Sequence, residues 1–273
     1  MELEEFIIED NILQKYNGIS KEVNIPIGVG IIGKEAFKGK NIEKINMPVT
    51  LHEIQKSAFE DCKYLTTVQL NDKLEKINKS AFKNCSSLES ITIPNLITKI
   101  SESCFEDCLS LKSINFVDNG INLSKICCGA FRNCHLTEIK IPSNVKTIGS
   151  EAFAYCNYLT EVEMSNKIEK IGDYCFTNCI KLCKVNISEA VTVINQYTFK
   201  NCKSLKEINI PLNVGIIYQG AFTNCSSLDT LSIENPKVQI VYAFCGCDSL
   251  KNINASDFVK STLQISERKL TQH

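Results

Sequence analysis

Apolar residues recur along this chain with two superposed rhythms. The short rhythm spaces them two apart, as in Leu205, Ile208 and Ile210, and predicts brief strands with one face inward. The long rhythm returns a whole phrase, I-G-x-x-A-F-x-x-C-x-x-L, seen at Ile77–Leu88, Ile148–Leu159, Ile171–Leu182 and Ile217–Leu228. Its phenylalanines are Phe37, Phe59, Phe82, Phe105, Phe131, Phe153, Phe176, Phe199, Phe222 and Phe244, separated by 22 to 26 residues. A fixed period in the twenties predicts a solenoid, an elongated array in which each turn packs only on its neighbours.

Each repeat divides into three pieces. The segment L-x-x-I-x-I predicts a strand, ended by Pro48, Pro94, Pro142 or Pro211 in several copies, because proline cannot donate to a sheet ladder. A bridge such as Asn144–Ile148 suggests a second short strand. The Gly or Asn that often follows (Gly33, Asn78, Gly149, Gly172, Asn195) is expected at a tight corner with positive φ. The segment x-x-A-F-x-x-C is too short for an isolated helix, and one helical turn held by its neighbours is expected. Residues 1–24 predict a hairpin cap built on Phe6, Ile8, Leu13 and Tyr16 and closed near Glu9–Asn11. Residues 25–255 carry the repeats and 256–273 a C-terminal cap and tail, the whole forming one domain. The 26-residue repeat places extra residues at Val117–Leu123, where Asp118-Asn119-Gly120 predicts a protruding loop.

Composition narrows the partners. Thirty basic residues balance 31 acidic ones, a net charge of −1, which points to neither nucleic acid nor an anionic membrane. No run approaches the ~20 apolar residues of a membrane span, and the acidic opening, MELEEFIIEDNILQKYNG, does not read as a secretory leader. A cytoplasmic location is therefore expected, with the cell surface by non-conventional export as the alternative. Of the 15 cysteines, nine stand three residues after a repeat Phe: Cys62, Cys85, Cys108, Cys134, Cys156, Cys179, Cys202, Cys225 and Cys247. A cysteine placed once per turn reads as a small buried residue in a narrow slot rather than as a disulfide framework.

The phrase I-G-x-x-A-F-x-x-C-x-x-L-x-x-I-x-I-P, with the opening FIIEDNILQKYNG…VNIPIGVGIIGKEAF, resembles the BspA-like leucine-rich repeat over roughly Phe6–Ile253. The resemblance implies a leucine-rich-repeat solenoid: a right-handed curved array of about ten repeats with a parallel sheet on its concave side. It also implies a binding protein, since many members are bacterial or protist surface proteins implicated in adhesion.

Candidate chemistry is sparse. His52, His135 and His273 occupy unrelated places in the repeat, and no G-x-S-x-G, P-loop or H-E-x-x-H phrase occurs, so no enzyme activity and no cofactor are expected. Six cysteines lie off the column: Cys104, Cys127, Cys128, Cys175, Cys183 and Cys245. Cys104 and Cys175 take a slot filled elsewhere by Ala, and their spacing suits no zinc site. Cys127 and Cys128, beside the insert, are expected to be partly exposed and carry the alternative reading of a thiol redox sensor. The sequon at Asn122 is expected to be accessible. The outward strand positions form a ribbon that is small and polar at first, then charged and polar at Glu138, Lys140, Glu161, Glu163, Lys184, Asn186, Glu207 and Asn209. No aromatic stripe marks that face, so base stacking is not supported. These eight residues are the candidate surface for an extended protein partner of a monomeric, non-enzymatic scaffold; the alternative is an adhesin binding host or matrix proteins.

Overall fold

The computed structural model describes residues 5–268, with side chains described as far as Leu263. It is a β-solenoid of about 11 turns, with parallel sheets and little helix. The described residues group into two compact units divided between Leu136 and Thr137. The division follows Cys134-His135-Leu136, one residue tighter than Cys108–Leu111 or Cys156–Leu159.

Both units use the same turn. One side carries a long strand: in the first unit Glu22–Asn24, Lys44–Asn46, Thr67–Gln69, Ser90–Ile93 and Ser113–Phe116. In the second unit the long strands are Glu138–Lys140, Glu161–Glu163, Lys184–Val185, Glu207–Ile210, Thr230–Ile233 and Asn252–Asn254. Pairing is parallel with like positions in register, as in Ile45↔Val68, Ile139↔Val162 and Ile208↔Leu231. A second side carries two-residue strands such as Ile31–Ile32, Glu53–Ile54, Lys170–Ile171 and Ile216–Ile217, also parallel within each unit.

The third side departs from the expected helical turn. Alternate N–H groups bond within the turn, Ala36 N to Gly33 O (3.2 Å), Lys38 N to Glu35 O (3.0 Å) and Lys40 N to Phe37 O (3.0 Å). The intervening ones cross to the next rung, Glu35 N to Lys56 O (3.2 Å), Phe37 N to Ala58 O (2.8 Å) and Gly39 N to Glu60 O (2.8 Å). A helix would keep every N–H along its own axis. Here inter-rung bonds win, and overlapping β-turns result.

Those turns require positive φ, though not at the residues expected. Gly33, Asn78, Gly149, Gly172 and Asn195 all have ordinary φ; the left-handed positions lie two residues before Phe (Glu35, Ser57, Ser80) and two after it (Asp61, Asn84, Asp107). Gly172 answers to space instead, since a Cβ there would sit 2.3 Å from the backbone nitrogen of Ser150. Left-handed backbone costs a non-glycine residue roughly 1–2 kcal/mol, offset in each turn by the backbone bonds it permits.

Inside, the ten repeat phenylalanines are at most 4% exposed and stack ring on ring, for example Phe59–Phe82 at 5.1 Å and Phe199–Phe222 at 5.2 Å between centroids. Each contributes roughly 1.5–3 kcal/mol by burial. The nine column cysteines are buried. Their sulfurs reach the Phe carbonyl of the preceding turn: Cys62 to Phe37 O (3.1 Å), Cys108 to Phe82 O (3.2 Å), Cys179 to Phe153 O (3.2 Å) and Cys225 to Phe199 O (3.1 Å). That carbonyl already accepts from the Cys N–H of its own turn, as in Cys85 N to Phe82 O. Cysteine thus fills the slot and covers the second lone pair, which alanine would leave bare.

The hairpin forms as expected, Phe6–Glu9 antiparallel to Ile12–Tyr16, with Asp10 and Asn11 in positive φ at its tip. Its second strand is also a degenerate turn: Leu13 pairs in parallel with Ile32, and the Tyr16 ring stacks 5.0 Å from Phe37. At the other end a helix spans Asp257–Arg268 and buries Val259 and Leu263, as a cap requires. The remainder of the expected tail lies outside the described residues. The insert makes a tight turn over Val117–Gly120, with Asp118 and Asn119 in positive φ.

Candidate functional site

Alternation along the second unit's long strands turns Ile139, Val162 and Ile208 inward and leaves their flanking side chains outside. Parallel register then sets Glu138 opposite Glu161, Lys140 opposite Glu163, and Glu161 opposite Lys184. The charges neutralise one another between rungs: Lys140 Nζ lies 2.9 Å from Glu163, and Lys184 pairs with Glu161. The Glu161 carboxylate, by hydrogen bond and charge, holds the Lys184 ammonium above its ordinary pKa. All four side chains remain well exposed, where such pairs are individually weak.

Asn186 and Asn209 are occupied differently. The Asn186 carboxamide donates to Met164 O (2.8 Å) and accepts from Met164 N (2.8 Å), standing in for ladder bonds where its strand stops at Val185. Asn209 donates to Glu234 (2.7 Å), whose other oxygen accepts from Leu212 N (3.2 Å). Among the described residues, no long-strand pairing joins Lys184–Val185 to Glu207–Ile210. At that break lies an open groove of about 440 Å³ lined by Asn186, Glu189, Glu207, Asn209, Thr230 and Ser232. The eight candidates therefore share one face: four as ion pairs, two as bracketing carboxamides, with exposed Glu138 and Glu207. Glu189 and Glu234 escaped sequence reasoning because both lie just outside the strand positions counted.

The long-strand face of the first unit is uncharged over three rungs, Thr67/Gln69, Ser90/Thr92 and Ser113/Asn115. A groove of about 460 Å³ at its edge is lined by Met47, Val49 and Leu70 among polar neighbours. His52 and His135 lie apart in sequence and turn position; burial and the Lys112 charge hold His135 below its ordinary pKa. His273 lies outside the described residues.

Off the column the thiols divide by burial, Cys183 and Cys245 being exposed. Cys104 and Cys175 are buried in the alanine slot as expected. Cys127 is half-buried and Cys128 exposed. Burial raises the Cys127 pKa despite the opposing charges of Lys125 and Lys99, which is the reverse of the low pKa a redox sensor uses. No group of three or more His, Cys, Asp or Glu able to hold a metal occurs among the described residues. Asn122 is exposed, its carboxamide donating to Asn95 O at 2.9 Å.

With this turn described, the comparison with known proteins is decisive for the family. A model of the BspA type leucine rich repeat region, in six copies, matches residues 7–127 and 124–251. The chain belongs to the BspA-type leucine-rich-repeat family. Among solved structures, this BspA-type chain resembles a leucine-rich repeat protein from Bacteroides ovatus at 26% identity and a TM-score of 0.68, over 94% of this chain and 68% of that one. It also resembles a leucine rich cell surface protein from Faecalibacterium prausnitzii at 22% identity and a TM-score of 0.51, over 96% of this chain and 95% of that one. No curated protein matches its sequence.

Proposed function

We propose that this BspA-type chain is a non-enzymatic scaffold that binds an extended protein partner along the long-strand face of residues 137–273. The family supports a role in protein interaction. One observation carries the finer reading: outward side chains stand in register on parallel strands, so the Lys140–Glu163 pair between two rungs and the Glu161–Lys184 pair between the next two form a fixed pattern of opposite charges. Such a pattern steers association and sets register more than it adds raw affinity. The charge-swapped variant Lys140→Glu/Glu163→Lys with Glu161→Lys/Lys184→Glu keeps each ion pair while inverting the pattern outward. It should fold as the parent, judged by circular dichroism, and lose the proteins that the parent captures from native extract. Undiminished capture by the folded variant would exclude this face.

A second reading, a surface adhesin, draws on the exposed Asn122 sequon and on the cell-surface description of the Faecalibacterium protein. A glycan mass at Asn122 on the native protein would favour it over the cytoplasmic scaffold.

A further inference from the structure

Six of the eight tyrosines lie beyond residue 136, all on the turn side. Tyr155, Tyr158, Tyr174, Tyr218 and Tyr242 are exposed and Tyr197 half-buried. Four of them occupy left-handed backbone, Tyr155, Tyr174, Tyr197 and Tyr242, with φ of 63°, 57°, 54° and 45°. Bulky residues are uncommon there, and the equivalent positions of the first unit hold Glu35, Ser57, Ser80, Ser103 and Gly129, or Gly39, Asp61, Asn84, Asp107 and Asn133, none of them aromatic. The cross-rung bonds do not call for a ring. Tyr174 N bonds Gln196 O at 2.9 Å, as Ser80 N bonds Glu102 O at 2.9 Å. Strain carried by exposed side chains that the turn does not require points to a role outside the fold.

The surroundings indicate what the rings would meet. Tyr174 and Tyr197 stack at 4.9 Å and 20°. Gly220 leaves the next place empty, and the Tyr197 ring leans over it. Asp173 and Glu151 lie close enough to Tyr174 to help burial raise its phenol pKa. The chain's own cations already use these faces: Lys200 Nζ lies 5.2 Å from the centre of Tyr197, and Lys181 Nζ 4.6 Å from that of Tyr158. Aromatic faces beside carboxylates suit a guanidinium better than an ammonium, because it is planar and weakly hydrated. Rigid tyrosines also give contact area at low entropic cost. The chain's own arginines are Arg132 and Arg268 alone, so a second copy offers little of this chemistry.

We propose that Tyr174, Tyr197 and Tyr242, with Asp173 and Glu151, form a second binding surface that takes an arginine-bearing segment of a partner protein. It is independent of the long-strand face. The chain has no tryptophan, so its emission comes from the eight tyrosines, and the tyrosine variant below assigns the part that belongs to this surface. The probe is the peptide acetyl-Leu-Arg-Leu-Arg-Leu-amide, titrated beside its citrulline counterpart, which keeps the shape and loses the charge. The arginine peptide should quench emission saturably and bind about 10-fold more tightly than the citrulline peptide. Tyr174→Ser with Tyr242→Gly should abolish that binding with Tm unchanged or raised, whereas the four-residue charge swap on the strand face should leave it intact. Equal binding of the two peptides would overturn the proposal, and so would full binding by the tyrosine variant. A marked fall in Tm on Tyr242→Gly would assign the rings to the fold instead. Tyrosine-dependent binding on a glycan array with no arginine-peptide binding would reassign the surface to carbohydrate.

Discussion

The two units are built on one turn and differ almost entirely in what they show to solvent. Up to residue 136 the long-strand face carries one ion pair, Glu22–Lys44, and then only Thr67, Gln69, Ser90, Thr92, Ser113 and Asn115, and the left-handed positions of the turn side carry Glu, Gly, Ser, Asp and Asn. From residue 137 two such pairs lie together, Lys140–Glu163 and Glu161–Lys184, ahead of uncharged Thr230, Ser232, Asn252 and Asn254, and tyrosines join Asn178, Asn201 and Asn224 at the left-handed turn positions. Inward positions scarcely differ: Phe82 and Phe176, Cys85 and Cys179, Leu88 and Leu182 are all completely buried. The core of a repeat is dictated by its neighbours above and below, whereas the surface answers only to solvent and partner. Differences between turns are therefore the place to read function, and identities the place to read stability.

The largest expected effect tests the shared part. Burial raises the thiol pKa of Cys62, to about 12, and those of Cys85, Cys104 and Cys108 in the first unit. It also raises those of Cys179 and Cys202 in the second. The Cys225 pKa is raised by its hydrogen bond with Cys247 and by burial. A thiol whose pKa is raised on folding binds its proton more tightly in the native state. Its stabilisation is complete below the unfolded value near 9 and is lost as pH climbs toward 12. Each thiol contributes a slope of ~1.4 kcal/mol per pH unit in that window. Urea unfolding should therefore show stability flat through pH 8 and collapsing above about pH 9 in both units together. Stability unchanged to pH 11 would mean the column is not held as buried thiols.

Core truncation comes next. Phe82→Ala and Phe176→Ala should each cost about 3–5 kcal/mol by chemical denaturation, cavity included. A large inequality between them would show that the units do not share one packing plan. Below these lies a deliberate asymmetry at one repeat position. Gly172→Ala places a methyl 2.3 Å from backbone and should cost about 1–3 kcal/mol. Asn78→Ala, at the equivalent place in the first unit, loses only a 2.9 Å hydrogen bond to Glu53, about 0.5–1.5 kcal/mol.

That last pair shows where sequence reading succeeded and stopped. The Phe column, the Cys column, the hairpin and the strand alternation were legible because period and burial are the same fact in a solenoid. The positive-φ positions were not. Gly33 and Gly172 suggested positive φ but mark close approach, while the left-handed backbone falls on Ser57, Asp61 and Tyr174. Asp and Asn two residues after Phe are types that favour it, but Ser57 and Tyr174 two residues before Phe give no such sign; there alternating inter-rung hydrogen bonds impose it. The outward charges of Glu161 and Lys184 were legible by alternation, yet their pairing needed the register of adjacent rungs. The tyrosines sat at positions read as variable, and their common side emerges only when the turns are stacked.

The smallest expected effect separates surface from fold most sharply. Glu163→Lys removes the 2.9 Å pair with Lys140 and sets two ammonium groups side by side. Glu22→Lys does the same to its 2.7 Å pair with Lys44 in the first unit. Both pairs are open to water, so each substitution should lower stability only slightly, and less still at 1 M salt. A double-mutant cycle on Lys140 and Glu163 measures the coupling itself. A coupling under about 1 kcal/mol that vanishes with salt leaves the pair's contribution to stability negligible. The charged ribbon of the second unit would then be free to vary without unfolding the turn beneath it, as an interaction surface must. A salt-resistant coupling of about 2 kcal/mol or more would instead be that of a desolvated pair. Those charges would then join the shared core, and the contrast between the two units would rest on the tyrosines alone.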